Sequence, residues 1–209
     1  MNNKGNQTKT YVLQTIAGKE TYVRDLLNAS DQTSERAKFW VPLKNRYWKS
    51  NQSELAKGAE PFQLKKDVLL PGYVLAETDD PYSLYQGLRA LHIKTRVDLI
   101  GRDTDRMEAL ASRAANTSGS ADRLIEEFND SILAVTEKEL DWIRALTGEI
   151  SEVEYIDKKI HFVSGPMVGM DGYVRRADKR KRMLMVEMPF FQDSEINIWV
   201  AFDEVRVEE

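Results

Sequence analysis

The stretch Ile160–Asp178, IHFVSGPMVGMDGYVRRAD, constrains the fold most. A short apolar run meets Gly165-Pro166, and Asp171-Gly172 then turns the chain into a second apolar run. Glycine tolerates positive φ and proline fixes its own φ near the value a turn requires, so both dipeptides mark turns. The spacing predicts two strands joined by a tight, glycine-rich loop. KIHFVS, GYVRRA, MLMVEM, INIWVAF and EVRVEE follow one another with turn signals between them, and 158–209 therefore reads as a small β-barrel. In MLMVEM the period of two puts Leu184, Val186 and Met188 toward the core and leaves Met183 and Met185 more exposed.

Upstream the pattern changes. TYVLQTIAG (10–18) reads as a strand closed by glycine, and Val23, Leu26 and Leu27 recur at helical spacing behind it. FWVPL leads into a polar, basic stretch, which predicts two strands with a long exposed hairpin between them. VLLPGYVLAE (68–77) is too continuously apolar for a strand with one wet face, so it reads as a central strand buried at least partly on both sides. Asp79, Asp80 and Pro81 announce a helix carrying Leu84, Leu88 and Leu91. TRVDLIG supplies a last strand, and about 102–130 reads as two helices interrupted at 117–120. Thr136 and Glu139 have capping-box spacing before ELDWIRAL, which stops at Gly148. The charged segment 149–157 reads as a linker.

The fold class expected from these elements is α+β: an α/β sandwich over 9–148 with the helical insertion, the linker 149–157, and the small barrel over 158–209. Cysteine is absent, which excludes disulfides and thiolate metal sites. His92 and His161 lie far apart without the spacing of a metal or acid/base cluster, so neither an enzyme nor a metal site is expected, and no cofactor. The polar start and the absence of a run of about 18 apolar residues predict a soluble, cytoplasmic protein with no membrane contact. A net charge of −4 argues against a general nucleic-acid coat and confines such binding to local clusters.

VLLPGYVLAE followed by the Gly165–Gly172 loop resembles NusG-type transcription elongation factors, with an N-terminal NGN domain and a C-terminal SH3-like KOW barrel. The resemblance extends along nearly the whole chain. The insertion, the basic residues of the barrel and the loop composition resemble specialised paralogs of the LoaP and RfaH type. The resemblance implies a monomer that binds the clamp helices of the RNA polymerase large subunit and acts as a processive antiterminator on selected operons. A KOW-bearing ribosome-associated or RNA-binding protein without polymerase activity is the rival reading.

Four groups are candidate sites. Leu69, Leu70, Pro71, Tyr73 and Leu75 match the strand with which the family docks on polymerase, and the resemblance favours such a patch over the alternative that they are merely core. By alternation Pro71, Tyr73 and Leu75 share one face, outward or inward. Lys44, Arg46, Trp48 and Lys49, with Tyr47 among them, interleave cations with aromatics, which suits non-template DNA or other single strands and equally a solvated hairpin. Arg175, Arg176, Lys179, Arg180, Lys181 and Arg182 are a dense basic cluster in an acidic chain, either a phosphate-binding patch for nascent RNA or a solvated turn. Met167, Val168 and Met170 occupy the loop that in NusG meets a ribosomal protein or the termination factor Rho, where the housekeeping protein usually has aromatics. Gln14 stands in the first strand where relatives often place an aromatic.

Overall fold

A computed structural model describes residues 7–91, 95–101, 104–116, 121–157, 159–190 and 194–205. In chain order the elements are β1 (Lys9–Thr15), α1 (Glu20–Ala29), α2 (Asp31–Ser34), β2 (Lys38–Trp40), β3 (Leu43–Lys49), α3 (Gln52–Ala56), β4 (Phe62–Val68), β5 (Tyr73–Thr78), α4 (Pro81–Ala90), β6 (Val97–Leu99), α5 (Thr104–Ala115), α6 (Ala121–Ser131), α7 (Glu137–Thr147), β7 (Ser151–Ile156), β8 (Lys159–Ser164), β9 (Val174–Asp178), β10 (Met183–Phe190) and β11 (Ser194–Glu204), with short 3-10 turns at Asp171–Tyr173 and Lys179–Lys181. They group into two compact units, Met1–Val41 with Leu70–Thr136 and Pro42–Leu69 with Glu137–Glu209.

The first unit holds an antiparallel sheet in the order β2-β5-β1-β6. In β5, Val74, Leu75 and Ala76 are all 0% exposed, so both faces of this inner strand are covered, as its unbroken apolar run requires. The register sets Val12 opposite Leu75 and Leu13 opposite Val74. At the β2 edge the Asn28 side chain donates to the Phe39 carbonyl at 2.9 Å and accepts from the Phe39 N–H at 3.2 Å, which satisfies backbone groups an edge strand leaves open. Asp80 caps α4 by accepting from the Ser83 N–H at 3.0 Å, with Pro81 in the first turn, where its missing N–H costs no bond.

The helices α5 and α6, expected as an insertion, contribute to this unit's core. Met107, Leu110 and Phe128 are buried, and the Phe128 ring takes Tyr82 edge-on at 5.3 Å and Tyr85 at 5.1 Å. Beyond α6 the chain runs beside β1: Ala134 bridges Tyr11, and the Val135 N–H donates to the Thr10 carbonyl at 2.8 Å. The interruption expected at 117–120 and His92 lie outside the described residues.

The second unit is built on a five-stranded sheet, β8-β7-β11-β10-β9, a small barrel-like fold in which β7 runs parallel to β11 and the other neighbours are antiparallel. The segment expected to be a linker is therefore a strand. Glu152 and Glu154 gave it a charged look, yet they alternate with Ser151 and Val153, which are buried, so the charge sits on one face only. Leu184, Val186 and Met188 are buried as the alternation predicts, and Met183 at the strand start is buried too.

The β3–β4 hairpin and α7 also belong to this unit rather than following the expected division at 149–157. Asn45 donates to the Gly148 carbonyl at 2.8 Å, and Trp142 of α7 meets the Tyr173 ring edge-on at 4.4 Å. Among the described residues no helix is long and apolar enough to cross a membrane.

Candidate functional site

The turn before β5 is shaped by one glycine. Gly72 adopts φ +87°, a conformation most residues avoid, and its carbonyl accepts from the Thr15 N–H at 2.8 Å. Glu20, only 2% exposed, accepts through one oxygen from the N–H groups of Gly72 (2.6 Å) and Gly18 (2.9 Å), which ties the start of α1 to this turn. Two backbone donors compensate the desolvation of the buried carboxyl. Of the five residues expected to form an apolar surface, Leu69, Leu70 and Leu75 are buried and hold the interior. Pro71 is exposed and Tyr73 half-buried, so the accessible part narrows to this pair. Tyr73 lies opposite Gln14 in the ladder, and Ile16, 54% exposed, follows Thr15 at the same end of β1. Sequence reading missed Ile16 and Glu20, because nothing local signals a side-chain bond across 52 positions.

Within the second unit the structure brings together basic clusters far apart in the chain. Lys44 is buried and leaves the set of accessible cations: burial lowers its amine pKa, against a smaller upward pull from Asp67. Arg46 pairs with Asp67 at 3.0 Å and lies 4.6 Å from the Trp48 ring centroid, and Trp48 is 44% exposed. Lys49 is exposed. Tyr47, alternate in the strand, points the other way and donates to Asp203 Oδ1 at 2.8 Å. Burial raises its pKa, and Asp203 adds to the rise.

Arg182 joins hairpin to barrel. Its guanidinium lies 5.4 Å from the centroids of both Tyr47 and Phe62 and 3.7 Å from Asp203 Oδ1, and its backbone is held at φ +51°. Lys179 sits 3.3 Å from the Tyr155 ring centroid and 3.6 Å from Glu204; Lys181 is 3.6 Å from Asp178; Arg175 pairs with Glu187. Arg176 and Arg180 are exposed and, among the described residues, have no acidic partner. The basic cluster is thus partly neutralised from within. Exposed pairs contribute at most about 1 kcal/mol each, so a polyanion can displace them.

The Gly165–Gly172 loop divides in the same way as the turn before β5. Met167 is 3% exposed and its N–H donates to Ser151 Oγ at 3.0 Å, so it anchors the loop rather than presenting it. Val168 is 55% exposed and Met170 half-buried, and these two form the accessible part. Asp171 closes the loop: one oxygen accepts from the Phe162 N–H at 2.8 Å and the other lies 3.3 Å from His161 Nδ1.

A solved chain from Thermotoga maritima is similar over most of its length. That structure, described as domain interaction in NusG, aligns at 14% identity over 93% of this chain and 94% of its own, with a TM-score of 0.48. No protein-family model and no curated protein matches the sequence. Among the described residues no group of three or more His, Asp or Glu is placed to hold a metal ion. The first unit presents the exposed Pro71 beside the half-buried Tyr73; the second presents the cation–aromatic pair Arg46–Trp48 and, among the described residues, Arg176 and Arg180 without an acidic partner.

Proposed function

We propose that this protein is a NusG-type transcription elongation factor that binds RNA polymerase and acts as a processive antiterminator on selected operons. It works without catalysis and without a cofactor: binding favours the elongation-competent state of the polymerase through differential affinity. The observation that carries the reading is the order of two features in one chain. VLLPGYVLAE supplies the inner strand of an α/β unit, and the glycine loop 165–172 follows in a five-stranded barrel-like unit, the order in which NusG-type factors carry them.

In this reading the turn Pro71–Tyr73, with Ile16 beside it, docks on the clamp helices of the large subunit. Val168 and Met170 serve a second protein partner, a ribosomal protein or Rho, and the exposed cations meet nascent RNA or non-template DNA. Immobilised protein is tested for retention of purified bacterial RNA polymerase, alone and as Pro71→Ala/Tyr73→Ala. Retention that drops at least tenfold in the variant, with the fold intact by circular dichroism, supports the reading. Failure of the unaltered protein to retain polymerase refutes it.

A further inference from the structure

On the barrel, the β7–β8 hairpin faces the 171–173 turn and β9 across an open cleft of about 570 Å³, lined by Tyr155, Lys159, His161, Asp171, Arg175 and Arg176 among others. Lys159 and Arg176 are exposed and, among the described residues, have no acidic partner, so the cleft carries uncompensated positive charge. Tyr155 lines it with a ring that packs against the Lys179 amine and a buried hydroxyl that has no hydrogen-bond partner among the described residues. One carboxylate stands inside this cationic frame. Asp171 is held by the Phe162 N–H and by His161, which keeps it in place as an acceptor.

We propose that this cleft binds single-stranded RNA, with Lys159 and Arg176 on consecutive phosphates and the Asp171–His161 pair on a ribose 2′-hydroxyl. A cleft for phosphate alone would gain nothing from a carboxylate, which repels anions. A hydroxyl that donates as well as accepts gives Asp171 a partner, and the 2′-hydroxyl is what distinguishes RNA from DNA. A strand rather than an isolated phosphate is indicated because the same unit carries a further cation–aromatic pair at Arg46 and the exposed Trp48, the combination on which a nucleotide base stacks. The inference rests on the transcription-factor reading for its biological setting and on the cleft for its chemistry.

The test is fluorescence anisotropy of the full chain with a labelled twelve-uridine RNA and the matching deoxy-oligonucleotide, over a range of salt. The intact protein binds the RNA at least fivefold more tightly than the DNA. Lys159→Ala/Arg176→Ala, two surface changes, weakens RNA binding at least tenfold and lowers the slope of log K against log salt by about 1.4, or roughly 0.7 for each lost phosphate contact. Asp171→Asn, which keeps an acceptor for the Phe162 N–H, narrows the RNA preference. Unchanged affinity and salt slope in the double variant overturn the site, and equal affinity for the two oligonucleotides overturns the 2′-hydroxyl assignment. Polymerase retention is read on the same samples. A protein that binds RNA through this cleft but never retains polymerase sinks the proposed function and leaves the cleft standing.

Discussion

Tyr47→Phe isolates one bond that joins the hairpin to the barrel. The change deletes the hydroxyl that donates to Asp203 at 2.8 Å and keeps the ring, so the edge-on contact with Phe62 (6.3 Å, 77°) and the Arg182 cation over the ring persist. Hydrogen bonds to charged groups contribute about 1.5–3 kcal/mol, and the half-exposed setting here moves the expected cost toward about 1 kcal/mol. Tyr47→Ala also removes the aromatic pair, worth about 0.5–1.5 kcal/mol, and the cation–π contact, worth about 0.5–1 kcal/mol. With the lost ring burial the total reaches about 3 kcal/mol. Native-state hydrogen exchange reads this directly, because amides in the β3–β4 ladder report local opening of the hairpin. Protection there falls roughly fivefold for Tyr47→Phe and more than a hundredfold for Tyr47→Ala, since about 1.4 kcal/mol is a factor of ten. Unchanged hairpin protection in Tyr47→Ala would mean that Tyr47 does not hold the hairpin on the barrel.

Three further outcomes are expected. Gly165→Ala costs on the order of 3 kcal/mol, because a Cβ there would lie 2.7 Å from Ser151 Cα at φ +89°; Gly169→Ala, at φ +85° in open space, costs about 1 kcal/mol, and urea titration separates the two. Met167→Ala destabilises by about 2–5 kcal/mol, while Val168→Ala stays within about 0.5 kcal/mol, as thermal unfolding will show if the loop is anchored at one position and presented at the other. Burial raises the pKa of Tyr11, Tyr47, Tyr85 and Tyr155, so above their ordinary value near 10 the unfolded chain loses these protons before the folded one does. Their contribution is whole below about pH 10 and is lost as pH rises through the folded values, so denaturation midpoints fall at alkaline pH and tyrosinate absorbance rises late.

Much of the fold was legible where one local rule governs a segment. The unbroken apolar run of β5 specified two-sided burial, Asp80-Pro81 marked the start of α4, and the alternation in MLMVEM assigned three of its core positions. Legibility failed where the deciding contact is distant. Glu152 and Glu154 hid β7 because Val153 and its ladders with β8 and β11 cannot be seen locally. Leu69, Leu70, Leu75 and Met167 have the composition of a binding surface, and only the packing around them shows that they face inward. Lys44 resembles its exposed neighbours in sequence yet is buried, and the hairpin's membership of the second unit depends on bonds from Asn45 and Tyr47 to residues more than a hundred positions away.

Single-round transcription by purified bacterial RNA polymerase through an intrinsic terminator tests the central claim most directly, with and without this protein, on templates that carry or lack its own native leader. Readthrough that depends on the leader is the expected result. No change in termination on either template would contradict it.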